Sequence, residues 1–254
     1  MPATVDGVDN GFVVVVTDDG PVRTLTLNRP EKLNALNDEL RGALQAAIDD
    51  TAERADVRVV VIRGAGRAFS AGADLADRAD APTGDDPLAQ RRANGRWQRL
   101  LDDLERLPQV TVASLHGHVI GGAALLAVAC DLRVATDDLR FRIPEVEIGI
   151  PLTWAGLPRL AREIGVSRTR DLVMTGRTVT ANEALDIGLV HRIVPDTEGG
   201  AELVATLVAQ PPLALALTVD GLRALGRTMA PQEQSWADAD LLRWSLRDQR
   251  RPSQ

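Results

Sequence analysis

Ser114-Leu115-His116-Gly117-His118-Val119-Ile120-Gly121-Gly122-Ala123-Ala124-Leu125-Leu126-Ala127-Val128-Ala129-Cys130-Asp131 reads as the end of a buried strand, a turn marked by paired glycines, and a largely apolar helix. The strand is Val110–Leu115 and the helix runs over Gly121–Cys130, with Gly122 at its start. A helix start carries unsatisfied N–H groups and a positive dipole end, both suited to an anion. Upstream, Phe69-Ser70-Ala71-Gly72-Ala73-Asp74 is a second glycine-marked turn, directly after the apolar strand Val57–Ile62. Small residues at one such turn usually just permit close packing. Two of them could hold one developing oxyanion between their backbone N–H groups. Further along, Phe141-Arg142-Ile143-Pro144-Glu145 supplies a carboxylate that could move a proton beside that anion. The pattern suits making and quenching an enolate with one acid–base residue.

Composition sets the bounds. A chain of 254 residues is one large domain or two small ones, and 44% hydrophobic with 26% charged residues is ordinary for a globular protein with a substantial core. A net charge of −7 argues against a broad phosphate-backbone surface, so no nucleic-acid partner is expected. The single cysteine, Cys130, cannot form an internal disulfide and reads as a small core residue. No basic region precedes an apolar core at the N-terminus, and no uncharged apolar stretch is long enough to span a bilayer. No membrane partner and no metal are expected, and the compartment is taken as cytoplasmic.

Phe12–Thr17 and Val22–Asn28 read as a hairpin around Asp18-Asp19-Gly20-Pro21. Leu40, Ala43, Leu44, Ala47 and Ile48 give a helix over 37–54, with Asn37 as its N-cap. Val57–Arg63 is a short buried strand. The acidic, Pro- and Gly-rich stretch 77–87 reads as a loop, and Trp97, Leu100, Leu101 and Leu104 mark another helix. Short strands follow at Asp131–Ala135 and Leu139–Ile143. Beyond Pro151 the chain turns mainly helical. Thr180 and Glu183 form a capping box for a helix ended by Gly188, then a strand over Leu189–Val194. Helices are expected over Gly199–Gln210 and Leu213–Gly226. Strand, strand, helix recurs through the first 150 residues, which suggests stacked β-β-α units with a helical tail.

In this order the motifs resemble the crotonase (enoyl-CoA hydratase/isomerase) superfamily. Asn28-Arg29-Pro30-Glu31-Lys32-Leu33-Asn34-Ala35-Leu36 is similar to its N-terminal signature, Phe69–Asp74 to its first oxyanion turn, and Ser114–Gly122 with Ala129-Cys130-Asp131 to the element holding the second. Pro144-Glu145 through Gly149, Pro158-Arg159-Leu160 and Thr180–Pro195 continue the match. The resemblance covers residues 10–200. It implies an α/β fold, a crotonase-type spiral of β-β-α units with a C-terminal helical region, divided as a core over 1–195 and a helical region over 196–254 that serves oligomerisation and covers the acyl pocket. It also implies homotrimers or dimers of trimers, an acyl-CoA thioester as ligand, and no cofactor beyond that substrate.

The resemblance further places the thioester oxygen between the N–H groups of Ala73 and Gly122, each worth about 3 kcal/mol to an enolate-like transition state. Lys32, Leu33, Ala71, Asp74 and Leu75 match segments that hold the bent CoA. Lys32 reads equally as an exposed helix-flanking charge, and Asp74 as a helix cap.

Departures from the family pattern bear on the reaction. Hydratases of this superfamily carry two glutamates; the second maps to Glu145 and the first to Leu125, which cannot exchange a proton. Losing one such group should cost hydration about 10²–10⁴-fold. A double-bond shift needs one base, so a Δ3–Δ2-enoyl-CoA isomerase-like reaction is expected. An enoyl-CoA hydratase, a thioester hydrolase, a decarboxylase and a catalytically silent acyl-CoA binder are the alternatives. Glu147 would share a face with Glu145 if residues 145–147 were extended. His116 and His118 read as structural. Trp154, where hydratases tend to have small residues, is expected to reshape the acyl pocket. The family commonly continues beyond the point matching Asp248 with a stretch that finishes its last helix, whereas this sequence stops at Gln254, which leaves the completion of the acyl pocket and the subunit contact open.

Overall fold

The structure is a computed structural model, and it describes residues 11–74, 86–196, 200–230, 235 and 237–248. The first hairpin pairs β1 (Val14–Asp19) with β2 (Val22–Leu27) antiparallel, Asp19 opposite Val22. Its strands sit one or two residues from the expected bounds. Every later pairing in this sheet is parallel: β2 with β3 (Val59–Gly64), β3 with β4 (Val110–Leu115), β4 with β6 (Leu132–Ala135), and β6 with β9 (Arg192–Ile193). A smaller sheet has the order β5 (His118–Ile120), β7 (Arg140–Arg142), β8 (Val179–Thr180).

The chain alternates between these sheets. Strand β4 lies in the larger sheet, β5 in the smaller one, and helix α4 (Gly122–Val128) returns the chain to β6. The next turn begins the same way with β6, β7 and α5 (Gly156–Thr175), then adds β8 to the smaller sheet before the chain regains the larger one at β9. This is the β-β-α spiral expected from the sequence. Strand β4 and helix α4 are buried throughout; α4 reads as an apolar run, and β4 as a mainly apolar one that also buries Thr111 and Ser114.

Helix α1 (Asp38–Ala52) begins as expected, the Asn37 side chain accepting the Leu40 N–H at 2.9 Å. It buries Leu40, Leu44, Ala47 and Ile48 in a core shared with β2, β3 and α3 (Arg96–Leu104). A smaller cluster of Val59, Val112, Val134, Val194, Leu203 and Val204 lies on the other face of the sheet, under α7 (Ala201–Ala209).

Some expectations are corrected. The loop over 77–87 lies outside the described residues except for its end, where Asp86 caps α2 (Pro87–Asn94), a helix the apolar pattern does not announce. Helix α6 (Ala181–Asp186) has Thr180 at its N-cap, but no capping box forms: the Thr180 side chain makes no cap hydrogen bond, and Glu183 pairs with Arg177 at 2.6 Å. The strand expected over Leu189–Val194 shortens to two residues. Helix α8 (Pro212–Met229) and helix α9 (Asp238–Asp248) complete the helical region. Among the described residues no single helix is long and apolar enough to cross a membrane; α7 and α8 together match by length and composition but bend by 111°.

Candidate active site

The N-terminal signature folds as a bracket for the first glycine turn. Pro30–Lys32 is a single 3-10 turn, and Leu33 and Asn34 follow at φ of 50° and 54°. Asn34 is fully buried; its Nδ2 donates to Ala65 and Ala68 carbonyls, both at 2.8 Å. Its own carbonyl accepts from Ser70 Oγ at 2.8 Å, and Ala71 N–H donates to Leu33 O at 2.9 Å. An asparagine amide thus replaces the ladder bonds that left-handed backbone cannot make.

Ala73 forms a parallel bridge with Leu36: Leu36 N–H donates to Gly72 O and Asp74 N–H to Leu36 O. The Gly72 carbonyl therefore points at Leu36, and across a trans peptide the Ala73 N–H points the opposite way. The Gly72 turn also packs against the later one: Ser70 bridges Val119, and a methyl group built on Gly72 would come within 2.4 Å of Ile120 O. Only glycine fits there, on contact and on its φ of 85°.

The second turn meets it. Gly121 has φ 56° and ψ −120°, and its carbonyl accepts from Leu125 N–H inside α4. By the same peptide geometry Gly122 N–H leaves the helix start, where it has no intrahelical partner. The Glu145 carboxylate lies against this turn: a methyl group on Gly121 would come within 2.7 Å of its Oε1, and its Oε2 is buried. The Glu145 carboxylate thus lies at the turn that carries the Gly122 N–H, and the Gly72 turn packs against the residues just before it. Two N–H groups and a carboxylate together can hold a developing oxyanion and exchange a proton next to it.

Glu147 does not join them. Residues 145–149 form turns, with Ile148 N–H bonded to Pro144 O and Ile150 N–H to Glu145 O, so the premise of an extended segment fails. Glu147 instead pairs with Arg142 at 2.5 Å and lies over Gly176. Leu125 is 1% exposed, its methyl groups packed over Gly156, so an apolar contact fills that helix position. The Trp154 ring lies against Gly122, with a methyl group there 2.3 Å from its nearest carbon.

The remaining expected residues spread along the bracket. Lys32 is exposed, while Leu33, Ala71 and Asp74 are half-buried. Asp74 pairs with Arg29 at 3.1 Å. Leu75 lies outside the described residues. Cys130 is buried, and burial pushes its thiol up to about 12, the reverse of a nucleophile's requirement. His116 is structural as expected, its Nε2 3.0 Å from Gly66 O.

The chain matches known proteins over most of its length. The family model described as enoyl-CoA hydratase/isomerase matches residues 18–251. The chain belongs to the enoyl-CoA hydratase/isomerase family. It is 37% identical over 199 residues to a probable enoyl-CoA hydratase of Mycobacterium bovis, covering 78% of this chain and 75% of that one. It is 34% identical over 227 residues to a mitochondrial Delta(3,5)-Delta(2,4)-dienoyl-CoA isomerase of Rattus norvegicus, covering 85% and 69%. A crystal structure of an enoyl-CoA hydratase from Mycobacterium avium subsp. paratuberculosis superposes with a TM-score of 0.82 at 27% identity, over 94% and 95% of the two chains. Similarity to both named activities gives the family and leaves the choice of reaction to the site.

Several residues at the enoyl-CoA hydratase/isomerase site are not apparent from the sequence. Trp97 stacks on Trp154 with ring centroids 5.1 Å apart. Arg159, 0% exposed, donates to Trp154 O and to Asp102 and Glu105. Asp238 accepts Ala155 N–H at 2.9 Å. Trp97 reads as one more apolar position on an amphipathic helix, and Asp238 carries no local signal.

Proposed function

We propose that this chain catalyses a Δ3–Δ2-enoyl-CoA isomerase-like double-bond shift, with Glu145 as the base and the N–H groups of Ala73 and Gly122 as the oxyanion donors. Glu145 removes a proton from C2 of a 3-enoyl thioester; the resulting dienolate is held at its oxygen by the two N–H groups; the carboxylic acid then returns the proton to C4. The carrying observation is one carboxylate against the Gly121-Gly122 turn while the position three residues into the helix holds a buried leucine. Hydration needs a hydroxyl at one carbon and a proton at the next, and a second carboxylate serves that task. Lys32, Leu33, Ala71, Asp74 and Leu75 bind the CoA portion. The reaction requires no cofactor beyond the thioester.

The helical region over 196–254 covers the acyl pocket, a reading supported by the Asp238 contact to Ala155. It also carries the assembly. Leu213, Leu217, Leu222, Leu225 and Met229 are exposed along α8, which supports self-association, here as a homotrimer or a dimer of trimers. Light scattering should give three copies per particle or a multiple of three; a monomer counts against the assembly.

Glu145→Gln tests the reaction. The amide keeps the shape and cannot cycle a proton, so isomerisation should fall about 10²–10⁴-fold with thioester affinity nearly intact. Unchanged turnover removes Glu145 as base. Tight acyl-CoA binding by the native protein without turnover of any thioester favours the silent binder.

A further inference from the structure

The wall beside Gly122 is held from more sides than packing of one ring requires. Trp154 and Ala155 both adopt left-handed backbone, at φ of 59° and 52°, which side-chain-bearing residues rarely occupy in succession. Two groups stabilise the turn. Arg159 donates to the Trp154 carbonyl, and the guanidinium is itself fixed by Asp102 at 2.6 Å and Glu105 at 3.0 Å. Asp238, the first residue of α9, accepts the Ala155 N–H at 2.9 Å.

Helix α9 holds the other tryptophan's neighbourhood too. Asn94 Nδ2 at the end of α2 donates to Ala239 O at 3.1 Å, and Arg91 approaches Asp240 at 3.6 Å. Helix α3, which begins two residues after α2 ends, presents Trp97, stacked on Trp154 at an interplanar angle of 15°. One C-terminal helix therefore braces both halves of the stack. Both rings stay partly exposed while packing on the core.

The stack lies where an acyl chain would run. A thioester oxygen at Gly122 N–H places the first acyl carbons beside Gly122, with the Trp154 ring on one side and the Glu145 carboxylate on the other. One residue beyond the Trp154-Ala155 turn, Leu125 and Leu152 close over Gly156. A longer chain would have to push apart a pair of stacked indoles whose backbone is pinned.

We propose that the Trp154–Trp97 stack ends the acyl pocket and makes this protein selective for short-chain acyl-CoA thioesters, with Asp238 as a positioning residue that fixes the wall through Ala155. This rests on the reading of Gly122 as the thioester's oxyanion donor. A chain that meets the wall loses affinity by about tenfold or more for each methylene it cannot seat.

The test is a titration of butanoyl-, octanoyl- and dodecanoyl-CoA into the native protein and the variants Trp154→Ala, Trp97→Ala, Asp238→Ala and Asp238→Asn. Binding is read because it needs no turnover, so failure of the proposed isomerisation is separable from failure of the wall. The native protein should bind butanoyl-CoA most tightly. Trp154→Ala should reverse the order, improving dodecanoyl-CoA relative to butanoyl-CoA at least about tenfold, and Trp97→Ala should move it the same way. Asp238→Ala should relax the preference, whereas Asp238→Asn, which keeps an oxygen acceptor, should retain the native order. Each variant's melting curve is taken alongside, and Trp97→Ala serves if Trp154→Ala does not fold. A native preference for dodecanoyl-CoA, or folded tryptophan variants with the native order, overturns the proposal. Equal relaxation in both Asp238 variants removes its positioning role.

Discussion

Leu125 occupies its helix position by close packing. Its methyl groups seal against Gly156 at 1% exposure, so the position three residues beyond Gly122 is apolar by packing as well as by identity. A glutamate there would be buried, its pKa raised, and its neutral form favoured. Paired with an ionised Glu145, that is the arrangement acid–base hydration uses. Leu125→Glu should therefore increase 3-hydroxyacyl-CoA formation from a 2-enoyl-CoA over the native protein, while lowering the melting temperature because a carboxyl displaces close-packed methyl groups. Product analysis and a thermal melt check both; a gain in hydration without loss of stability would show that Leu125 is not packed as described. Glu145 and the two glycine turns are legible in the sequence because their positions recur as ordered motifs. Glu147 misleads because i, i+2 alternation holds only in extended chain, and the residues after Pro144 coil into turns instead.

Strand β4 and the turn after it illustrate what periodicity reveals and hides. A mainly apolar run over Val110–Leu115 reads as a buried strand, and it is one. What the run does not announce is His116 at its end, 5% exposed, with Nε2 against the Gly66 carbonyl and a buried Nδ1 that has no hydrogen-bond partner among the described residues. Burial holds this histidine below its ordinary value of 6.5. The folded state thus binds the proton less readily than the unfolded chain. Its contribution to stability is complete above pH 6.5 and is lost as pH falls through the folded-state value. Denaturant midpoints measured from about pH 7.5 to about 5 should fall on acidification, and His116→Asn should flatten that dependence. An unchanged slope in the variant would place the titrating group elsewhere. Element boundaries are less legible than elements: β9 shrinks to two residues, and the Thr180 capping box gives way to a Glu183–Arg177 ion pair, a choice made by a side chain outside the local motif.

Across the whole molecule, charge inside the fold ties distant elements of the spiral to one another. Glu105, 8% exposed, accepts from Arg159 at 3.0 Å and Arg162 at 2.8 Å; Arg162 reaches Glu163 at 3.2 Å, and Glu163 reaches the fully buried Arg133 at 2.5 Å. Burial pushes the Glu105 carboxyl up, yet the two guanidinium groups outweigh it and hold it below the ordinary range. This network joins α3 to α5 and, through Arg159, braces the Trp154 turn. Glu105→Gln leaves buried guanidinium groups undercompensated and should destabilise the protein by about 3–5 kcal/mol, read from chemical denaturation. A loss under about 1 kcal/mol would mean the network is exchangeable with solvent. No such network is legible in the sequence, because arginine and glutamate on amphipathic helices look like solvated charge until the packing buries them. What the sequence does carry is the order of motifs, and that order sets where the two turns and the carboxylate fall along the chain. The most direct measurement supplies the native protein with a 3-enoyl-CoA and, separately, a 2-enoyl-CoA, and resolves products by mass and chromatography. A single-carboxylate isomerase should convert the 3-enoyl thioester to the 2-enoyl one and form 3-hydroxyacyl-CoA at least about 10²-fold more slowly. Hydration of the 2-enoyl thioester as fast as the double-bond shift would contradict it.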